Sequence, residues 1–540
     1  MPKASVALPL STFGPRRSAS TVHDHLTASA AHCTIAMAFY VTTPIYYVNA
    51  APHLGHAYST IAADVMARHM RQRGEDVFFL TGTDEHGEPV ALAAEKEGVT
   101  PQELVDRNAP RFRDLMPRLN VSNDFFIRTS DPEHMAKSQE VLSLIRENGH
   151  VYEGVYEGWY CPRCADFKTD AEAGEDNACP IHKIPLTREK EDNYFFRLSA
   201  FQDDLIQLYD EQPDFVMPRH RYNEARSFIE SGLQDVSLSR STLTWGVPVP
   251  WDESHVFYVW FEALLNYYTA LSYAKPGEDV TDRFWPAQYH VIGKDILKFH
   301  TVFWPAMLMA ANLPLPEHVF VHGFLLMRDD SGEEHKMSKS LGNVLDPFVV
   351  MDEYGTDALR YYCMREVSFG HDGSVSTAGF AARYESELAN DLGNLASRTI
   401  AMVRRYRDGT LPACDPDPEL AAEIDSAAGE VCDLLERADL SGALEAIWQR
   451  VRRCNRFVEE QAPWTLAKDD AKAGDLDRVL VSLCEGLRVI GVLLHPWMPE
   501  TSDKLLSALG APQLAIDDAH MQAGQIGAIS SLEQLFPKPQ

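Results

Sequence analysis

The chain has 540 residues, 45% of them hydrophobic and 24% charged. At ~150 residues per domain it is too long for one small module, and its ordinary composition excludes collagen-like, coiled-coil and wholly disordered classes. A net charge of −30, from 79 acidic residues against 49 Lys and Arg, argues against a surface that coats polyanions in general, so any nucleic acid must dock on a local basic or aromatic patch.

No apolar run approaches the ~18–20 residues of a membrane span, which points to a soluble multidomain protein with no membrane role. Nine Cys are too few for a disulfide scaffold. Residues 1–36 carry Arg16, Arg17, many Ser, Thr and Ala, and one acid, Asp24. They read as a disordered extension, an organelle transit peptide, or an over-called start with Met37 as the true first residue. Ala38–Val48, rich in β-branched and aromatic types, predicts a strand. A helix follows, with Tyr58, Ile61, Val65 and His69 at helical spacing up to Gly74, and then Val77–Thr81 as a buried strand and a helix from Pro89 to about Glu97. Strand, helix, strand, helix implies a parallel sheet. After a long interruption the pattern returns as Val256–Trp260, a helix through Tyr267 and Leu271, Tyr289–Gly293, a helix to Ala311, and His318–Val321. From about Glu385 amphipathic helical runs take over. The expected fold is therefore α/β: a doubly wound, Rossmann-like parallel-sheet domain in two halves, 37–117 and 238–325. An insert occupies 118–237, a loop region 326–384 and a C-terminal α-helical bundle 385–540.

Directly after the first strand comes Pro52-His53-Leu54-Gly55-His56, at a helix start where unpaired backbone N–H groups and the positive dipole end favour phosphate. Two imidazoles can both donate to a phosphoryl group, and Gly55 lets a ring or phosphate approach the backbone. Standing alone, such histidines would more often be capping or buried polar residues. Downstream, Lys336-Met337-Ser338-Lys339-Ser340 offers two ammonium groups in a loop suited to a polyphosphate whose charge grows as a bond to phosphorus breaks. Cys161-Pro162-Arg163-Cys164 and, after fourteen residues, Cys179-Pro180-Ile181-His182 supply three thiolates and one imidazole. That set closes a tetrahedral structural zinc site and leaves no open position for substrate.

The His-Leu-Gly-His and Lys-Met-Ser-Lys-Ser elements, in this order, resemble the two signatures of class I aminoacyl-tRNA synthetases. Further stretches are similar to the bacterial methionyl-tRNA synthetase family: Thr43-Pro44-Ile45-Tyr46-Tyr47, Thr81-Gly82-Thr83-Asp84-Glu85-His86-Gly87, Tyr258-Val259-Trp260 and Gly293-Lys294-Asp295-Ile296. The resemblance runs from about Phe39 to Lys538. It implies that 37–117 and 238–325 form the catalytic nucleotide-binding domain, that 118–237 is a connective peptide carrying the one zinc, and that 385–540 binds the anticodon. ATP, accompanied by Mg²⁺, would lie on His53, Gly55, His56, Gly293, Asp295, His322, Gly323, Lys336 and Lys339, with His53, His56, Lys336 and Lys339 catalytic. L-methionine would be held by Asp84 through its ammonium group and by Ile45, Tyr47, Trp260, Ala263, Leu264, Tyr267, Ile296 and His300. The zinc ligands would be Cys161, Cys164, Cys179 and His182, and Asn394, Arg398 and Trp464 would read the anticodon of initiator and elongator tRNA for methionine. A cytoplasmic monomer is expected, or an organellar protein if 1–36 is a transit peptide. Two rivals are another class I synthetase, for which the ~120-residue insert leaves little room for an editing domain, and a non-catalytic RNA-binding paralogue.

Overall fold

The β-branched and aromatic run Ala38–Tyr47 forms strand β1 in the computed structural model, buried along most of its length. The described residues are 38–49, 51–162, 166–168, 170–173, 176–180, 183–328, 334–336 and 346–538, so the readings made on 1–36 lie outside them. After β1 come helix α1 (Leu54–Gln72), β2 (Asp76–Asp84), α2 (Glu88–Glu97), α3 (Pro101–Arg118), β3 (Phe125–Arg128) and α4 (Pro132–Glu147). Local chemistry sets these borders. Gly98 ends α2 in the left-handed region at φ +70°, where a side chain would be strained. Two residues on, Thr100 opens α3 with a capping box: its Oγ1 accepts from Glu103 N at 3.2 Å, and Glu103 Oε2 accepts from Thr100 N at 2.8 Å.

The central sheet is parallel throughout, in the order β3, β2, β1, Tyr289–Gly293, His318–His322, Val216–Met217. Strand order reverses direction between β1 and Tyr289–Gly293, the place where open α/β sheets leave a crevice beyond their carboxyl ends. Both edge strands, β3 and Val216–Met217, come from within 118–237. One expected strand is corrected. The strand read at Val256–Trp260 runs Asp252–Phe257, pairs antiparallel with Ser239–Arg240 and Pro248–Val249, and takes no part in the parallel sheet. The chain turns into a helix at Val259–Ala263, so Trp260 faces a cavity from a helix and not from a strand.

The remainder of the insert is a long antiparallel pair, Val151–Cys161 with Thr187–Phe196. Beyond Glu385 the helices Asn394–Arg407, Pro418–Glu436, Leu440–Gln461 and Ala473–Leu494 pack around Leu444, Trp448, Leu483 and Leu487, in a core continuous with that of α1 and the sheet. A wholly buried arginine also joins the two regions. Arg360 gives Nη2 to Asp64 of α1 at 2.7 Å and to Pro496 O at 2.8 Å, Nε to Trp497 O at 2.8 Å, and Nη1 to Leu119 O at 3.0 Å. Its charge is matched by Asp64 and its donors by carbonyls, as a buried guanidinium requires. Among the described residues no helix is long and apolar enough to cross a membrane.

Candidate active site

The crevice opens because β1 leaves its neighbour. It pairs with Tyr289–Gly293 only at Val41 and Thr42, while against β2 its register slips between Thr42 and Ile45. Pro44 lies within that slip and has no N–H to give a ladder. Beyond it Ile45 and Tyr47 continue beside Gly82 and Asp84. Gly82 has to be glycine, since a Cβ there would stand 2.2 Å from Ile127 O of β3. The result is a cavity of about 370 Å³ lined by all nine residues expected to hold the amino acid (Ile45, Tyr47, Asp84, Trp260, Ala263, Leu264, Tyr267, Ile296 and His300), together with His53, Gly55, His56, Gly293, Asp295 and His322.

At one end Asp84 is 3% exposed, and among the described residues its Oδ1 has no hydrogen-bond partner. Burial and the nearby negative charge of Glu262 push its carboxyl well above the usual carboxylate range, against the backbone N–H of His86 that favours the charged form. No Lys or Arg side chain pairs with it among the described residues. A buried acid lacking a cation is built to receive one.

The walls beside it are apolar. Trp260 stacks on Phe299 at 3.7 Å and 5°, and meets Tyr47 edge-on at 6.5 Å. His300 Nδ1 faces Ile296 O at 3.1 Å; a carbonyl only accepts, so the proton sits on Nδ1. Nε2 then accepts from the Tyr267 hydroxyl at 2.7 Å. Burial lowers this imidazole to about 4 despite the Ile296 carbonyl, so it is neutral at ordinary pH. The pocket therefore presents a flat indole, a phenol ring and a neutral imidazole, surfaces that suit an unbranched, polarisable side chain.

At the opposite end the two signature histidines cap α1 by themselves. His53 Nδ1 accepts from Gly55 N at 3.1 Å, His56 Nδ1 accepts from His53 N at 3.1 Å, and the rings stack at 3.8 Å. Both Nδ1 atoms act as acceptors, which fixes the proton of each neutral ring on Nε2. The cap thus uses Nδ1 of each ring and sets its tautomer. A Cβ on Gly55 would come within 3.0 Å of the His53 ring, so the glycine makes room for the cap itself. His322 gives Nδ1–H to Gly323 O at 2.8 Å and accepts from Ser59 Oγ at 2.6 Å through Nε2. Burial lowers its protonation tendency too. Gly323 does not line the cavity: a Cβ there would strike the His371 main chain at 2.3 Å, so close packing explains this glycine.

The lysine element is placed by its backbone. Lys336 ends the strand Glu334–Lys336 and pairs with Leu326, next to Leu325 of the cavity wall; Lys339 lies outside the described residues. Of the cysteine and histidine set, Cys161 and Cys179 are wholly buried in one small cluster with Ala173 and Leu186, and Cys179 is wrapped by a tight turn in which Lys183 N donates to its carbonyl at 2.8 Å. Cys164 and His182 lie outside the described residues, and among the described residues no group of three or more metal-ligating side chains is assembled. In the bundle, Asn394 is exposed at the start of Asn394–Arg407, and Arg398 one turn later donates to Glu459 and Asn455 of Leu440–Gln461 at 3.2 Å each. Trp464 stands just past the end of that second helix, 40% exposed. Sequence reasoning missed Ser59, Asn266 and Phe324, which also line the cavity. Ser59 could have been found, since it lies one turn beyond Gly55 on the same helix face.

The family model described as "tRNA synthetases class I (M)" matches residues 39–185 and 175–400, and that described as "Anticodon binding domain of methionyl tRNA ligase" matches residues 413–534. The chain is 46% identical over 476 residues to the methionine--tRNA ligase of Caldanaerobacter subterraneus, covering 87% of this chain and 74% of that one. It is 46% identical over 509 residues to that of Rhizobium meliloti, covering 93% and 97%. A solved structure of Mycobacterium tuberculosis methionyl-tRNA synthetase in complex with methionyl-adenylate superposes with a TM-score of 0.87 at 40% identity, covering 93% of this chain and all of that one. With family models spanning most of its length and relatives well above 30% identity, the chain belongs to the class I methionine--tRNA ligase family.

Proposed function

We propose that the chain activates L-methionine with ATP to give methionyl-adenylate and pyrophosphate, then transfers methionine to the terminal adenosine of tRNA for methionine, in initiation and in elongation. The observation that carries this reading is one cavity lined at one end by a buried acid with no Lys or Arg partner among the described residues and at the other by the two imidazoles of the His-Leu-Gly-His element. Asp84 holds the ammonium group and the Trp260, Tyr47 and Tyr267 walls hold the side chain, which directs the methionine carboxylate toward the His53 and His56 end. There the carboxylate oxygen attacks the α-phosphorus of ATP in line and the bond to pyrophosphate breaks. His53 and His56 donate to the phosphoryl oxygens, and Lys336 and Lys339 meet the departing charge. Mg²⁺ carried on the nucleotide's phosphates would supply further charge neutralisation there. Gly293, Asp295 and His322 sit where ribose and adenine rest. No side chain acts as a covalent nucleophile, so positioning and electrostatics supply the acceleration.

Cys161, Cys164, Cys179 and His182 would hold one zinc ion. Burial of the two described cysteines together, with a tight turn at Cys179, fits such a site. A zinc ion there would supply a crosslink to a region whose own buried apolar cluster is small. Loss of metal from Cys161→Ser protein is the expected result, and unchanged metal content removes Cys161 as a ligand. Asn394, Arg398 and Trp464 read the anticodon by base-edge bonds and stacking. Work as a cytoplasmic monomer rests on the family resemblance alone; a solution mass of two chains would overturn the monomer.

The deciding experiment is ATP–pyrophosphate exchange with each of the twenty amino acids in turn. Methionine should give the highest rate, and any other amino acid exceeding it would overturn the substrate assignment.

A further inference from the structure

The cavity wall at Phe324 is held from outside by a carboxylate that the adenylation steps leave unused. Phe324 joins the strand His318–His322 of the central sheet to the strand Leu325–Arg328, and both Phe324 and Leu325 line the cavity. Its N–H donates to Asp372 Oδ1 at 2.9 Å, its carbonyl accepts from Gly373 N at 3.0 Å, and the Lys294 ammonium lies 4.4 Å from its ring centroid. The second oxygen of Asp372, Oδ2, accepts from Lys294 Nζ at 2.5 Å. Lys294 in turn stands between Gly293 and Asp295, which also line the cavity. One carboxylate therefore ties two stretches of wall together without lining the cavity itself.

Those two stretches carry different parts of the candidate nucleotide site. Gly293 and Asp295 are among the residues expected at ATP, and they mark the carboxyl end of the strand Tyr289–Gly293. On the other side, Leu325–Arg328 pairs parallel with Gly373–Val375 and antiparallel with Glu334–Lys336, where Leu326 is the partner of Lys336. Asp372, directly before Gly373, thus sits at the joint between the Gly293–Asp295 stretch and the strands that set the backbone of Lys336. Against the push of burial, Lys294 and the Phe324 N–H hold the Asp372 carboxyl below its usual range; Arg221, the other cation near it, is engaged by Glu224 at 2.7 Å. The Lys294 and Asp372 side chains are 23% and 38% exposed, so their pairing adds little to stability. What a charged tie with two acceptor oxygens fixes is geometry.

We propose that Asp372 is a positioning residue of the nucleotide site, tying Lys294 to the Phe324 backbone so that the Gly293–Asp295 stretch and the strand pair ending in Lys336 meet one ATP in register. Neither Asp372 nor Lys294 touches the substrate; each acts through the wall it holds. The inference rests on the proposed reading of this cavity as the site of methionine activation.

The test is methionine-dependent ATP–pyrophosphate exchange by the full chain, for the parent, Asp372→Asn, Lys294→Gln and the double variant, with urea midpoints taken alongside. Asp372→Asn keeps an acceptor for the Phe324 N–H and removes only the charge that holds Lys294. Each single variant should raise the ATP KM about fivefold and leave the methionine KM and the urea midpoint unmoved. The double variant should be no worse than the worse single one, because both break the same tie. An unmoved ATP KM in a folded single variant overturns the proposal, as do single effects that multiply in the double variant, which mark two independent contacts. Equal rises in both KM values with a lowered urea midpoint mark a purely structural role and overturn it too. If one single variant fails to fold, the other decides alone. A parent without methionine-dependent exchange would instead sink the reading of the cavity on which the proposal stands, before any variant is compared.

Discussion

The cavity and the face of the bundle proposed to read the anticodon would recognise by opposite means. Inside the cavity polar groups are few and their states are set by the protein: Asp84 is buried without a Lys or Arg partner among the described residues, His300 is buried and neutral with its proton on Nδ1, and the more exposed His53 and His56 have their tautomers set by the helix cap. On the bundle, Asn394 and Trp464 face solvent and Arg398 already bonds Glu459 and Asn455. In a dry site one wrong charge costs several kcal/mol, whereas a solvated contact is screened and exchangeable with water. Single substitutions in the cavity should then act steeply, and those on the bundle by small additive steps.

The largest expected effect is that of Asp84→Asn. It preserves shape while removing the charge proposed to meet the ammonium group, and breaking such a buried pair costs about 4 kcal/mol. Methionine kcat/KM in the exchange assay should fall about a thousandfold. A drop below about tenfold would show that Asp84 is not the cation's partner and would erase the contrast with the bundle.

Next comes the joint between the two regions. Arg360→Ala leaves Asp64 buried without its main counter-charge and the Trp497, Pro496 and Leu119 carbonyls without their shared donor, at about 3 kcal/mol of stability in urea unfolding. Burial pushes the Asp64 carboxyl up, yet Arg360 and Arg68 hold it below the usual range. Stabilisation from a depressed carboxyl is present above its unfolded value of ~3.9 and is lost as pH falls through the folded value. The variant should accordingly lose less stability than the parent over that acid window. Equal losses in both would detach Arg360 from Asp64's titration.

His300 gives a smaller and opposite test of burial. Its folded-state value of about 4 lies below the ~6.5 of an unfolded histidine. As pH falls past ~6.5 the unfolded chain takes up a proton that the folded one refuses, so stability declines until pH passes the folded value. Between neutrality and pH ~5 the loss is about 2 kcal/mol. His300→Gln, which keeps an acceptor for Tyr267, should flatten that slope in urea midpoints taken at the two pH values. An unchanged slope would show that His300 is already accessible to protons.

Much of the cavity was legible in the sequence because its signals are local. The cap histidines adjoin Gly55 within four residues, and Asp84 ends a strand whose hydrophobic run is unbroken. Edge strands were not legible: Phe125–Arg128 and Val216–Met217 are too short to show periodicity. Val256–Trp260 misled because its aromatic and β-branched residues favour a strand, whereas tertiary packing turns the chain helical at Val259 and lays Trp260 flat on Phe299. A buried cluster in which Glu262 Oε1 lies 3.1 Å from His86 Nδ1 and Oε2 lies 3.1 Å from His134 Nε2 was invisible for another reason. His86, His134 and Glu262 are scattered over 176 residues of chain, and each would pass alone as a buried polar residue. Only the folded contacts bring them together.

The bundle supplies the smallest prediction and the one most able to break the contrast. Trp464 sits after Ala462, whose left-handed backbone ends the helix Leu440–Gln461, and Pro463 starts the next short helix. That turn leaves the indole partly in water, at 40% exposure, beside the helix end where Glu459 holds Arg398. An indole so placed can stack one unpaired base, a contact worth about 1–3 kcal/mol. Trp464→Ala should raise the KM for tRNA about tenfold and leave methionine-dependent exchange untouched, since the cavity lies on other elements. If exchange also falls, Trp464 is supporting the fold and not reading RNA, and the two regions are coupled more tightly than Arg360 alone would make them. If the tRNA KM is unmoved, recognition on this face lies with Asn394 and Arg398 instead, and the same measurement on Arg398→Gln becomes the next step. Because Arg398 already bonds Glu459 and Asn455, that substitution changes both a candidate RNA contact and an internal one, which is why the tryptophan is the cleaner probe.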